Sequence, residues 1–176
     1  MDVDGQSARE RFANLEKLSP EQQASLLAAP DAVWGLAESG QAAQALALIE
    51  KLSPEQQASV LAAPLAVRAL ANNGQAAQAL ALIEMLSPEQ QASVLAAPLA
   101  VWALANNGQA AQALALIEKL SPEQQAPVLA APDAVRALAN NGQAAEALAL
   151  IEKLSPEQQA SVLAASCAVL SLAANG

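Results

Sequence analysis

Apolar and polar positions follow one pattern that recurs along this chain every 34 residues. The polar start LSPEQQ returns at Leu18, Leu52, Leu86, Leu120 and Leu154. Each of the first four starts is followed by apolar stretches at helical spacing, interrupted by a proline and by a polar NNG or ESG triplet, whereas after Leu154 the proline is replaced by Ser166. A fixed period of this length is typical of stacked repeat arrays, so it takes precedence over any purely local interpretation.

The unit 52–85 shows how one repeat is expected to fold. Ser53 is a good N-cap, Pro54 suits the first helical position, and Gln56 completes a capping box. Helix A is therefore predicted from Pro54 to Ala63. Pro64 ends it, because proline cannot donate to the helix ladder and disfavours helical geometry in the residue before it.

Two further helices complete the predicted unit. Pro64 is predicted as the first residue of helix B, which ends at the triplet 72–74, where Gly74 suits a left-handed C-cap. Helix C begins at Gln75 and is predicted to be the most buried layer. Its broad apolar surface consists of Ala76, Ala79, Leu80, Leu82, Ile83 and Leu86. Since helices of about ten residues are marginal alone, stacking of units must stabilise them.

The predicted fold class is therefore all-α, a right-handed α-solenoid of tandem 34-residue repeats with about three short helices per repeat. It forms a single elongated domain, 1–176. Residues 1–17 are a partial repeat that caps the N-terminus. Full units follow at 18–51, 52–85, 86–119 and 120–153, here called units one to four, and 154–176 is a partial repeat. That last unit is expected to be a fragment of a longer array or a degenerate end covered by another segment.

The fourth unit carries one change within helix A. Pro127 stands where the second and third units have serine, Ser59 and Ser93. A proline in the second turn is expected to kink or shorten that helix.

Composition limits the functional classes. The net charge of −9 opposes simple attraction to phosphate, although it also keeps an Ala/Leu-rich chain soluble. With 54% hydrophobic residues, the chain still has no apolar run near the about 18 residues that span a bilayer. The N-terminus lacks the pattern of a signal peptide, and Cys167 has no partner for a disulfide. We therefore expect a cytoplasmic protein without membrane contact, although signal-less secretion as an effector stays open.

The chemistry needed for catalysis is missing. The chain has no histidine and no tyrosine, and Cys167 is its single cysteine. Serines fall mainly at predicted helix caps, and Glu55 and Glu84 recur in every full unit, which fits helix dipoles and solvation. The NNG turns do not match a phosphate-binding loop. We expect no enzyme, no cofactor and no metal site.

Differences between the units concentrate on helix B. The fourteenth position of the unit reads Asp31, Leu65, Leu99, Asp133 and Cys167, and the seventeenth reads Trp34, Arg68, Trp102, Arg136 and Leu170. The twenty-first (Glu38, Asn72, Asn106, Asn140, Ala174) shares their side of the helix, and the eighteenth (Gly35, Ala69, Ala103, Ala137, Ser171) borders it. The opposite side is constant between units, so it is the predicted core face.

We interpret the variable side as a recognition surface. Tryptophan and arginine exchange at one site, which argues against a sealed core there, and both dominate binding hot spots. The predicted partner-binding residues are Asp31, Trp34, Leu65, Arg68, Leu99, Trp102, Asp133 and Arg136. Two alternatives stay open: substitutions drift freely on a solvent face, or the tryptophans pack under a neighbouring helix.

Two resemblances bear on function. The period and the NGQ turn followed by ALALIE resemble the helix-turn-helix of tetratricopeptide and pentatricopeptide repeats, which implies a solenoid that binds peptides or proteins. The family's aromatic positions are missing, and SPEQQASVLAA is an extra helix. LSPEQ and NNGQAAQAL are similar to pieces of TAL-effector repeats, which would imply DNA reading. Here the turn comes later in the unit, and the lysine that would face phosphate is absent.

We therefore expect a non-catalytic module that binds a protein or peptide through helix B. Modular nucleic-acid recognition through the same residues is the alternative, although the net charge disfavours it. A structural or consensus-designed repeat scaffold is the third hypothesis. Recent duplication explains Met85, Pro127 and Cys167 better than design does.

Overall fold

The structure is a computed structural model that describes residues 14–29, 31–63, 65–97, 99–131 and 133–165. Its regular elements within these ranges are all helical. The A helices are α1 (Pro20–Leu27), α4 (Pro54–Leu61), α7 (Pro88–Leu95), α10 (Pro122–Leu129) and α13 (Pro156–Ala165). The B helices are α2 (Ala32–Glu38), α5 (Ala66–Leu70), α8 (Ala100–Leu104) and α11 (Ala134–Leu138). The C helices are α3 (Ala42–Ile49), α6 (Ala76–Glu84), α9 (Ala110–Lys119) and α12 (Ala144–Glu152).

The LSPEQQ motif starts the A helices as predicted. In α4, the Gln56 backbone N–H donates to Ser53 Oγ at 3.4 Å, and the Ser53 backbone N–H donates to Gln56 Oε1 at 3.1 Å. Pro54 is the first helical residue, and α4 ends at Leu61, two residues before the predicted Ala63. In α1, the pKa of Glu21 lies below its usual value because its carboxylate accepts its own backbone N–H and, to a smaller extent, the Ser19 hydroxyl.

The second glutamine of the motif fixes each A helix to the preceding C helix. Gln57 is buried, and its Nε2 donates to the backbone carbonyls of Glu50 at 3.2 Å and of Leu52 at 3.1 Å. These carbonyls follow the last turn of α3, where backbone acceptors lack partners within the helix. The same bonds form from Gln91, Gln125 and Gln159 in later units.

The B helices begin later than predicted. Helix α5 starts at Ala66 because Leu65 before it has a left-handed backbone, with φ of 65°. A left-handed residue at 65 prevents a continuous helix from Pro64, so the predicted first position was wrong. Pro64 itself lies outside the described residues. Helix α5 ends at Leu70 and is followed by a turn, Ala71–Gln75, in which Asn73 leaves helical geometry and Gly74 takes the predicted left-handed conformation with φ of 82°.

Like helices pack on like. Each A helix contacts the A helix of the next described unit, and the B helices do the same. The C helices α3, α6 and α9 contact the turn of the following unit, at Ala71–Gln75, Ala105–Gln109 and Ala139–Gln143. The helices thus pack against their neighbours in chain order. No helix in the described ranges is long and apolar enough to cross a membrane.

In units two to four the B helices, and not the C helices, are the most completely buried layer, whereas in α2 of unit one only Val33 and Ala37 are buried. In α5 every residue except Arg68 is buried, because A and C helices and both neighbouring B helices surround it. The predicted apolar surface of helix C is buried from Ala76 to Leu86. Its opposite side is exposed at Ala77, Gln78 and Ala81, so the prediction for this layer was wrong.

Pro127 does not shorten its helix. Helix α10 spans the same eight positions of the unit as α4 and α7, so the expected shortening was wrong. The missing N–H would have bonded to the Glu123 carbonyl, and both residues are exposed. Water can therefore satisfy that acceptor.

Most of the first seventeen residues and the end of the last unit lie outside the described residues. The predicted N-terminal cap, 1–17, is described only from residue 14 onward, and the structure describes the partial repeat up to 165. The expectations for Cys167 and for the variable positions after it therefore have no structural counterpart.

Candidate partner-binding surface

The eight predicted binding residues form two sets in the structure, which together we call the B-helix row. Asp31, Leu65, Leu99 and Asp133 each come directly before a B helix, and Trp34, Arg68, Trp102 and Arg136 lie three residues later on that helix. All eight are half-buried or exposed. The row thus contrasts with the rest of α5, α8 and α11, whose other side chains are buried.

The first set has an unusual backbone conformation. The φ angles are 65° at Asp31, 65° at Leu65, 63° at Leu99 and 60° at Asp133. Aspartate tolerates this left-handed region better than leucine, for which it costs about 1–2 kcal/mol. Because all four residues adopt it, the fold of the unit sets the backbone here and leaves the side chain free to vary.

In the second set, two residues of neighbouring units, Arg68 and Trp102, contact each other. The Arg68 guanidinium carbon lies 5.6 Å from the centre of the Trp102 ring. This is a cation–π contact between unit two and unit three. It shows that seventeenth positions of successive units are close enough to act as one surface.

Arg136 has a different partner. Its Nη2 lies 3.0 Å from Oδ1 of Asp133, three residues earlier, and both side chains are about two-fifths exposed, at 45% and 39%. The fourteenth and seventeenth positions of one unit are therefore within contact distance of each other.

The two tryptophans differ in burial. Trp102 is half-buried and packs against the cluster of Ala71, Ala76 and Ala103, so part of its ring lies beside the turn between α5 and α6 of unit two. Trp34 is 43% exposed. The alternative that the tryptophans pack against a neighbouring unit therefore holds for one side of Trp102. Trp34 instead presents a large apolar surface to solvent.

Sequence reasoning missed a structural role on the same side of the helix. Asn107 Nδ2 donates to Asn72 Oδ1 at 3.0 Å and to the Ala103 carbonyl at 2.8 Å, and Asn141 bonds to Asn106 and Ala137 in the same way. The asparagines of the twenty-first position thus join units to each other. A recurring polar pair in units two to four was the available signal.

The eighteenth position, predicted to border the surface, is buried in units two to four. Ala69, Ala103 and Ala137 have at most 2% of each residue exposed. Their small side chains let neighbouring B helices pack closely. Among the described residues at this position, Gly35 alone is exposed.

Other surfaces offer less chemistry. A shallow groove of about 250 Å³ lies between α9 and α12, with alanines along it and Lys153 Nζ 3.9 Å from Glu118 Oε1 at its edge. In the described ranges, no group of three His, Cys, Asp or Glu side chains is placed to hold a metal ion.

Comparisons with protein-family models, with curated proteins and with solved structures found no match to this chain. The residues themselves therefore carry the functional argument.

Proposed function

We propose that the chain is a right-handed α-solenoid of 34-residue repeats and a non-catalytic binding module. It recognises a protein or peptide through the B-helix row and works in the cytoplasm without a cofactor. The solenoid proposal is supported by packing of like helices on like along the chain and by the 34-residue period of the sequence.

The observation that carries the binding proposal is the contrast in exposure on the B helices. In α5, α8 and α11 every residue outside the row is buried and constant, while the row is half-buried or exposed and varies between tryptophan, arginine, leucine and aspartate. Tryptophan and arginine are the residues that contribute most to protein interfaces. Free drift on a solvent face would not favour a 43% exposed tryptophan.

Nucleic acid is a poorer partner for this surface. Asp31 and Asp133 lie in the row, and Asp133 already engages Arg136. Phosphate would therefore meet two carboxylates as well as a net charge of −9.

A nuclease-treated pull-down tests the proposal. Wild-type protein is compared with a variant in which Trp34, Arg68, Trp102 and Arg136 are changed to alanine. A matched control changes three glutamines on the exposed side of the C helices, Gln44, Gln78 and Gln112, to alanine. Circular dichroism first establishes that all three proteins are folded.

We expect proteins that wild type and the glutamine control retain and that the row variant loses. Equal retention by the row variant would contradict binding through the row. Recovery of nucleic acid alone, only when nuclease is omitted and with a steep loss at higher salt, would favour the nucleic-acid alternative. Absence of any partner would favour a structural scaffold.

A further inference from the structure

We propose that the middle of the B-helix row binds a segment of a partner protein that presents one aspartate or glutamate side chain between apolar side chains. This site consists of Leu65, Arg68, Leu99 and Trp102, from units two and three. The inference rests on the proposed function, since it names the chemistry of the segment that the row recognises.

The first step is a comparison of the two arginines. Arg136 is paired with the carboxylate of Asp133 in its own unit, at 3.0 Å. In unit two the corresponding position holds Leu65, so Arg68 lacks that carboxylate. Within the described part of the chain, the Arg68 guanidinium has no ion pair within 4.0 Å and no hydrogen bond.

The second step concerns how Arg68 is held. Its guanidinium lies 5.6 Å from the Trp102 ring centre, and both residues are half-buried. Stacking on a ring occupies the face of a guanidinium and leaves the N–H groups at its edge available. A half-buried cation with five unused donors is a favourable site for a carboxylate, which can accept two parallel hydrogen bonds.

The third step concerns the surroundings. The Asp133–Arg136 contact shows that fourteenth and seventeenth positions of one unit are adjacent, so Leu65 lies beside Arg68 and Leu99 beside Trp102. Both leucines are half-buried in the left-handed conformation. The site thus offers a cation, an indole and two leucine side chains, which suits a carboxylate with apolar neighbours.

The aspartates of units one and four disfavour a partner segment with many acidic residues. Asp31 and Asp133 lie on either side of this site, and the chain carries a net charge of −9. A run of carboxylates or a phosphate group would be repelled at both ends. A segment with a single carboxylate meets less of this repulsion and can still pair with the Arg68 guanidinium.

One test introduces into unit two, at Leu65, the carboxylate that units one and four carry at the same position. Leu65→Asp places at Leu65 the residue that already occupies the same left-handed position in units one and four, so folding is expected to be preserved. The new carboxylate would pair with Arg68 as Asp133 pairs with Arg136, and would compete with the partner. Arg68→Gln removes the cation instead.

The experiment selects binders from a phage-displayed library of short random peptides on the wild-type protein and measures their affinities as synthetic peptides. The variants are Leu65→Asp, Arg68→Gln and, as a control that removes a cation outside the row, Lys119→Gln.

We expect selected peptides to carry an aspartate or glutamate beside apolar residues. Both row variants should weaken binding by about tenfold or more, the control by less than about twofold. Changing the peptide carboxylate to its amide should remove the difference between wild type and Arg68→Gln.

Two results would overturn the inference in distinguishable ways. Peptides that bind without a carboxylate, or that bind Leu65→Asp and Arg68→Gln as well as wild type, contradict this inference alone. They leave the proposed function intact if the variant with alanine at Trp34, Arg68, Trp102 and Arg136 no longer binds them. Selection of no binding peptide contradicts both proposals.

Discussion

At the start of each A helix, polar side chains bond to backbone atoms. In the B-helix row, they contact other side chains. At positions 53–57, Ser53 and Gln56 bond reciprocally to each other's backbone N–H groups, and Gln57 bonds to two backbone carbonyls of the preceding turn. In the row, Arg68 contacts a tryptophan of the next unit, while Arg136 contacts an aspartate of its own unit.

This difference explains which positions stay the same between units. A side chain that bonds to backbone atoms meets the same partner in every unit, so one residue type is best everywhere. A side chain that bonds to another side chain depends on which residue the neighbouring position carries. In these two regions, constancy between repeats goes with bonds to the backbone, and variation goes with side-chain partners that change.

Removing one of the buried glutamines should have the largest effect. Gln91→Ala leaves the Glu84 and Leu86 carbonyls without their donor and should lower the free energy of unfolding by about 2–3 kcal/mol. Gln78→Ala, on the exposed side of α6, should change it by less than about 0.5 kcal/mol. Urea denaturation followed by circular dichroism measures both. Equal effects would show that the bonds of Gln91 add nothing.

Restoring the backbone N–H at Pro127 in α10 tests how much stability the proline costs this A helix. Pro127→Ser introduces the residue of units two and three, and should raise the free energy of unfolding by about 2 kcal/mol because the N–H to the Glu123 carbonyl returns. Ser93→Pro in unit three should lower it by a similar amount. Thermal and urea unfolding compare the two variants. No gain from Pro127→Ser would mean that water replaces that bond fully.

Two glycines should respond to alanine with opposite signs. Gly74 has φ of 82°, so Gly74→Ala should destabilise the protein by about 1 kcal/mol. Gly35 lies within α2 with open space around it, so Gly35→Ala should stabilise the protein by about 0.5–1 kcal/mol through helix propensity. Changes of the same sign in matched denaturation curves would contradict the assignment of Gly74 to a backbone-determined turn.

The two contacts of the row should give the smallest energies and differ in salt dependence. A double-mutant cycle with Arg68→Gln and Trp102→Leu should give a coupling of about 0.5–1 kcal/mol. The pair Asp133 and Arg136 should give about 0.2–0.5 kcal/mol, because both side chains are substantially exposed. High salt should weaken the second coupling more than the first. A stronger coupling for Asp133 and Arg136 would reverse this order.

Much of the local structure was predictable from the sequence, because caps depend on residues close together in the chain. The capping box of Ser53 and the left-handed Gly74 are examples. The role of Gln57 was not predictable in this way. Its acceptor on Glu50 becomes available only once the turn between α3 and α4 is formed.

The candidate surface was predictable in part. Helical spacing placed the seventeenth position on the exposed side of the B helices, where the structure has it. It gave no sign of the left-handed residue before each helix or of the burial of Ala69, Ala103 and Ala137. The partners of Arg68 and Arg136 differ because Leu65 and Asp133 differ, and spacing alone does not reveal such a contact between variable side chains.

The asparagine bonds between units have a consequence for how the gene can change. Asn107 bonds to Asn72 and Asn141 bonds to Asn106, and both pairs are 35 positions apart. If recombination duplicates or deletes one 34-residue segment among units two to four, the new junction again places a donor asparagine 35 positions after its acceptor. The encoded protein can thus gain or lose recognition positions in whole units while each junction keeps its hydrogen bond.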